Sequence, residues 1–123
     1  MTDERNKVLR PRVLLVDDEP EWGDALGAQL QRRGFDAQVV RDGPSALARL
    51  ESQEFDALVT DLRLEHGDGV SLMVQAQELA PQLPTIVMTA YGAIDTAVEA
   101  IRRGAFDYLT KPFGMDELLA RIR

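Results

Sequence analysis

Four short apolar runs in this chain end in chemically active side chains, and that pattern limits the fold more than any other feature. Ala57-Leu58-Val59 passes through Thr60 and ends on Asp61. Val13-Leu14-Leu15-Val16 ends on Asp17-Asp18. Thr85-Ile86-Val87-Met88 ends on Thr89, and Tyr108-Leu109 leads through Thr110 to Lys111. Short continuous apolar runs bounded by polar residues read as strands buried on both faces of a parallel sheet. In an open sheet of that kind, sites form outside the carboxyl ends of the strands. Two strands thus bring three carboxylates to one edge, a third brings a hydroxyl, and a fourth brings an ammonium.

The stretches between these runs have helical spacing. Pro20 suits the first turn of a helix, where its missing N–H does no harm. That helix extends to about Arg33, with Trp22, Leu26 and Leu30 four apart and Gly34 as its stop. Ala37–Val40 is a weaker strand, expected at a sheet edge. Asp42-Gly43-Pro44 opens a second helix carrying Ala46, Leu47 and Leu50. His66-Gly67-Asp68-Gly69 leads into a third, with Val70, Met73, Val74 and Leu79, and Pro81 and Pro84 punctuate the next turn. Ile94, Ala97, Val98 and Ile101 stripe a fourth helix that Gly104 ends. Phe106–Thr110 is the fifth strand, and Met115–Arg123 begins a fifth helix with Leu118, Leu119 and Ile122. Five strand–helix repeats imply an α/β fold: a doubly wound parallel sheet with right-handed crossovers and helices on both faces. Residues 1–11 read as a polar, flexible tail and residues 12–123 as the domain.

At 123 residues the chain is one domain, able to bury roughly two-thirds of its unfolded surface. A net charge of −7 argues against nucleic acid or an anionic membrane as a direct partner. With no Cys there is no disulfide, thiolate metal site or Cys nucleophile. No stretch is long and apolar enough to span a bilayer, and no apolar signal region opens the sequence. The cytoplasm is therefore the default expectation.

Carboxylates packed together repel one another unless a cation or protons relieve them. Mg²⁺ suits such a site, because it takes one or two carboxylates along with waters and a phosphoryl oxygen. The one histidine, His66, sits in a polar glycine-rich loop outside any ligand pattern, which argues against zinc. A lysine facing the same site would neutralise a transferring phosphoryl group. A threonine hydroxyl could donate to a phosphoryl oxygen. An aspartate can itself be the nucleophile and form an aspartyl phosphate. Glu19 reads as a neighbour of the acid pocket and no more, and Trp22 as packing beside it.

The motifs Val16-Asp17-Asp18-Glu19, Thr60-Asp61-Leu62-Arg63-Leu64, Met88-Thr89-Ala90 and Tyr108-Leu109-Thr110-Lys111-Pro112-Phe113 occur in order, each at the end of an expected strand. Together they resemble the receiver domain of bacterial response regulators over about Arg12 to Arg123. Ala93–Phe113 is similar in texture to the nitrogen-regulatory (NtrC-like) subgroup of transcription regulators. The resemblance implies a CheY-like, flavodoxin-like (βα)5 sheet of strand order 2-1-3-4-5. It implies Asp61 as phosphoacceptor from a sensor histidine kinase or phosphotransfer protein. Asp18 would be a direct Mg²⁺ ligand, Asp17 a ligand through water and the Arg63 carbonyl a further ligand. Lys111 would bind the phosphoryl group, and its bond to Pro112 would be cis. Thr89 and Tyr108 would form a switch pair that reshapes the surface of the fourth helix, fifth strand and fifth helix. Glu99, Arg102, Arg103, Asp107 and Arg121 put mixed charge on that output face, a possible homodimer contact. Arg63 and Tyr91 would tune dephosphorylation. Enzyme activity would be limited to Mg²⁺-dependent self-phosphorylation and self-dephosphorylation.

Three other classes fit less well. A haloacid-dehalogenase-type phosphatase wants D-x-D on its first strand, whereas here the acidic pair is adjacent. A nucleotide hydrolase wants G-x-x-x-x-G-K-[ST], which is absent. A phosphorylation-independent pseudo-receiver usually lacks one of the acid pair, the acceptor or the lysine, and here all are present.

Overall fold

Two of the five strands are buried from end to end and a third past its first residue, and this brings their polar ends to the middle of one sheet edge. The computed structural model describes residues 10–64, 68–90 and 94–122. Strands β1 (Arg12–Val16), β2 (Asp36–Val40), β3 (Ala57–Asp61), β4 (Thr85–Thr89) and β5 (Asp107–Thr110) alternate with helices α1 (Pro20–Arg32), α2 (Gly43–Ser52), α3 (Gly69–Leu79), α4 (Ile94–Arg102) and α5 (Met115–Ile122). The sheet has the order β2-β1-β3-β4-β5, and every pairing is parallel. The outer strands β2 and β5 are the half-buried ones.

The two-residue period of a strand sorts the core into layers. Val13, Leu15, Ala57, Val59, Ile86, Met88 and Leu109 face one way, against Leu26 and Leu30 of α1 and Leu118 and Leu119 of α5. Leu14, Val16 and Leu58 face the other way, against Ala46 of α2 and Leu72 and Ala76 of α3. Val87 continues that second layer with Met73 of α3 and Ala100 of α4. Because both faces are covered, the central strands contain no polar alternation, and each fully buried leucine contributes roughly 1.5–3 kcal/mol.

Side-chain caps fix two helix starts: Asp42 Oδ1 accepts from the Ser45 amide at 2.8 Å, and Asp68 Oδ1 from the Ser71 amide at 2.7 Å. Gly34 and Gly104 follow α1 and α4 with φ of +94° and +116°, the left-handed turn that glycine adopts at no steric cost.

Several boundaries differ from the sequence expectation. β5 begins at Asp107, although the Phe106 amide still donates to the Thr85 carbonyl at 2.7 Å, and the Phe106 side chain is exposed. β2 gains Asp36, whose amide bonds the Pro11 carbonyl at 2.8 Å. Arg33 caps α1 rather than extending it. Arg10 and Pro11, expected in the tail, engage the domain: the Arg10 guanidinium donates to the Phe35 carbonyl and to Gln31 Oε1, both at 3.0 Å. Residues 1–9, His66 and Arg123 lie outside the described residues. Among the described residues no helix is long and apolar enough to cross a membrane.

Candidate functional site

The sheet register decides which strand-end side chains meet. Asp61 continues the facing of Ala57 and Val59. Asp17 continues that of Val13 and Leu15, and Lys111 that of Leu109. The ladders extend far enough to hold this alternation. The Asp17 amide donates to the Val40 carbonyl at 3.1 Å and the Lys111 amide to the Thr89 carbonyl at 2.7 Å. Asp17, Asp61 and Lys111 therefore project to the α1–α5 side of the same edge.

There the Lys111 ammonium lies 2.7 Å from Asp17 Oδ2, 2.8 Å from Asp61 Oδ2 and 3.0 Å from Glu19 Oε1. The Asp17 side chain is fully buried, and those of Asp61 and Lys111 are nearly so. Burial disfavours charge on Lys111, but its hydrogen bonds to Asp17, Asp61 and Glu19 outweigh it, and the ammonium is held well above its ordinary 10.5. Burial pushes the Asp17 carboxyl above its ordinary 3.8, opposed by its bonds from Lys111 and from the Glu19 amide.

Turn backbone completes the orientation. The Glu19 amide donates to Asp17 Oδ1 at 2.8 Å, and the Arg63 amide to Asp61 Oδ1 at 3.1 Å. Gly69 packs onto the Asp61 backbone so closely that a Cβ there would stand 2.2 Å from the Asp61 carbonyl oxygen. Its amide bonds the Leu62 carbonyl at 2.8 Å, and an antiparallel bridge joins Arg63 to Asp68. The turn after β3 is thus closed on itself beneath the carboxylate.

Above the carboxylates opens a cavity of about 630 Å³, lined by Asp18, Glu19, Asp61, Arg63, Thr89, Lys111 and, from α4, Asp95 and Thr96. Among the described residues, the carboxylates that converge within 4.8 Å are those of Asp17, Glu19 and Asp61. Three hard oxygen donors in one place fit a divalent cation of the Mg²⁺ or Ca²⁺ kind.

The sequence matches the family model described as the response regulator receiver domain over residues 13–123. The chain is a receiver domain of the response-regulator family. It is similar to the response regulator protein PilR of Pseudomonas aeruginosa, with 40% identity over 89% of this chain and 24% of PilR. This receiver domain thus spans about a quarter of that relative's length. Solved structures that share its fold include two that bear on the site. The beryllofluoride-activated NtrC4 receiver domain dimer is 35% identical, has a TM-score of 0.85, and is matched over 90% of this chain and 92% of that one. A response regulator from Burkholderia pseudomallei, with a phosphorylated aspartic acid, calcium ion and citrate, is 31% identical. Its TM-score is 0.86, over 92% of this chain and 66% of that one. PilR and NtrC4 are NtrC-like, which supports that subgroup, and the flavodoxin-like, CheY-like fold is as expected.

Within this receiver domain, the residues expected at the site divide into three groups. Asp17, Asp61 and Lys111 are brought into direct contact. Asp18, Arg63 and Thr89 line the same cavity. Asp18 lines the cavity but stands outside the cluster of converging carboxylates. Thr89 is buried, and its hydroxyl donates to the Ala90 carbonyl at 2.8 Å. Tyr108 pairs with Val87 in the ladder and packs against the Leu62, Met73 and Ala100 cluster rather than in the acid pocket. The Lys111–Pro112 bond is cis. Tyr91 lies outside the described residues.

Two residues carry more than the sequence suggested. Glu19 is bonded to Lys111 and belongs to the acid cluster. Trp22 touches the lysine itself, with Lys111 Nζ 5.3 Å from its ring centroid. The signal for both was their place in the first turn after Asp17-Asp18, at the N-terminus of α1.

Proposed function

We propose that this receiver domain accepts a phosphoryl group on Asp61 in a Mg²⁺-dependent reaction with a sensor histidine kinase, a phosphotransfer protein or a small phosphodonor. The observation that carries this reading is the buried Lys111 ammonium, held at 2.7 and 2.8 Å between Asp17 and Asp61 at the mouth of a polar cavity. An Asp61 oxygen attacks phosphorus, and the bond from phosphorus to the donor's leaving atom breaks. The Lys111 charge, freed from part of its carboxylate partnership, pairs with a phosphoryl oxygen as a point charge. Thr89, whose hydroxyl is now spent on a carbonyl, turns to donate to another.

Asp17, Glu19 and Asp61 supply donors for Mg²⁺, and the family resemblance adds Asp18 and the carbonyl of Arg63, both on the same cavity. When bound, the ion supplies positive charge against the carboxylates and the incoming phosphoryl group. Beyond self-phosphorylation and self-dephosphorylation we assign no enzyme activity. The expected place of action is the cytoplasm.

Output runs through the face of α4, β5 and α5. Phosphorylation adds about −1.5 to −2 charges and three acceptor oxygens. Movement of Thr89 frees space for Tyr108, its near neighbour on the same sheet face. Val98 and Ile101 of α4 and Phe106 before β5 are exposed there, and Arg121 of α5 pairs with Asp107 of β5 at 3.2 Å. An apolar patch beside a paired charge suits a second copy of the domain. A phosphorylation-independent role is not favoured, because acceptor, acid pair and lysine are all in place.

The test is incubation with a small phosphodonor, with Mg²⁺ or with a chelator, monitored by intact mass. The expected result is a gain of one phosphoryl group with Mg²⁺ and none with chelator. No gain in either would refute the reading.

A further inference from the structure

We propose that Trp22 is a positioning residue for Lys111, an inference that rests on the receiver reading. Lys111 carries its charge on a flexible four-carbon stem, so its direction is set by what surrounds it. Two inner carboxylates, Asp17 and Asp61, draw the ammonium inward, while Glu19, whose side chain is 65% exposed, draws it toward solvent. The remaining wall is the face of Trp22, 5.3 Å from the ammonium to the ring centroid. That separation is within the range of a cation–π contact, and tryptophan is its best partner.

The indole is itself fixed from two directions, both leading back to the site. Its N–H donates to Met88 Sδ at 3.4 Å, and Met88 is the fully buried residue directly before Thr89. Its ring meets Phe113 edge-on, with centroids 5.1 Å apart at 82°, and Phe113 lies two residues beyond Lys111. Trp22 thus joins the first turn of α1 to the ends of β4 and β5. A leucine would fill the same apolar space. It would offer neither a π face to the ammonium nor an N–H to the sulfur. Glu19, three residues earlier on the same turn, supplies the polar half of the clamp. As the ammonium shifts toward a phosphoryl group on Asp61, the charge over the indole shifts with it. Trp22 is the chain's one tryptophan, so its emission reports that movement.

The test compares phosphorylation rates of the full chain with a small phosphodonor and Mg²⁺. One set contains the parent, Trp22→Phe and Trp22→Leu. A second contains the parent chain with its tryptophan replaced biosynthetically by mono- and multiply fluorinated analogues, which weaken the π face and keep the shape. Trp22→Leu is expected to be slower by roughly fivefold, with Trp22→Phe retaining most of the rate. In the second set the rate is expected to fall stepwise with fluorination, and beryllofluoride should change parent Trp22 emission. A flat fluorination series, an emission unmoved by beryllofluoride, or Trp22→Phe as slow as Trp22→Leu would each overturn the inference alone. A parent that takes up no phosphoryl group overturns the receiver reading and this inference with it.

Discussion

Lys111 Nζ lies 2.8 Å from Asp61 Oδ2, although 50 positions separate them in the chain. The sheet makes the contact inevitable. β3 and β5 both pair with β4, so residues of matching facing at their ends are brought to one side of the sheet.

Removing the cation tests what that contact does for the fold. With Lys111→Met, Asp17 and Asp61 lose their shared ammonium while staying largely buried. Breaking a buried pair from one side leaves an uncompensated charge, and the expected loss is about 2–3 kcal/mol at neutral pH. Adding Asp17→Asn should recover part of it. Urea unfolding of the single and double variants measures both, and an unchanged midpoint in Lys111→Met would contradict the buried pairing.

Stability should also depend on pH with an unusual sign at Asp17. Its folded carboxyl is held above 3.8 by burial, so its contribution is complete below 3.8 and lost as pH rises through the raised value. Lys111 is held above 10.5, so its contribution is complete below 10.5 and lost only beyond it. Asp17→Asn should therefore gain stability relative to the parent as pH climbs from below 3.8 toward neutrality. Thermal unfolding across that range, without metal, reports the difference. A difference that is flat with pH would count against the burial of Asp17.

Gly69 tests the closed turn beneath the acceptor. A Cβ at this position would meet the Asp61 carbonyl oxygen at 2.2 Å and the Leu62 Cα at 3.0 Å, both backbone atoms with little room to yield. Gly69→Ala should cost about 2 kcal/mol and slow phosphorylation. Gly43→Ala meets nothing within 4 Å and should stay within about 0.5 kcal/mol of the parent. Equal unfolding midpoints for the two variants would contradict the close approach.

Much of this site was legible in the sequence because strand ends and the two-residue period are local signals. Asp61, Asp17 and Lys111 follow directly from apolar runs that stop. What stayed hidden depends on the angle at which α1 leaves the sheet. Whether Asp18 or Glu19 turns toward Lys111 is decided by one or two backbone dihedrals after Asp17, and no periodicity reports those. Trp22 fits the apolar stripe of α1, so its spacing looked like core, and only its distance to Lys111 shows a second role. The edge strands β2 and β5 had blurred limits for a related reason. Half-buried strands carry weaker patterns, and exposed Phe106 looked like a strand residue.

Phosphoryl lifetime should depend on the cavity rim. Hydrolysis needs a water in line behind phosphorus, opposite the Asp61 oxygen. Arg63 lines the cavity beside Asp61, and a guanidinium there can pair with phosphoryl oxygens and cover that approach. Arg63→Asn with Tyr91→Glu should release phosphate about tenfold faster than the parent, a barrier change of ~1.4 kcal/mol. Phosphate release from the pre-phosphorylated domain in Mg²⁺ measures it, and equal rates would contradict the shielding.

The most direct measurement locates the phosphoryl group itself. The domain is phosphorylated with a small donor and Mg²⁺, reduced with borohydride to convert the acyl phosphate to homoserine, and mapped by tandem mass spectrometry. The expected result is homoserine at position 61 alone, and none anywhere in Asp61→Asn. Homoserine at position 17 or 18 in the parent, or an Asp61→Asn chain that still takes up phosphate at the parent's rate, would contradict Asp61 as the acceptor.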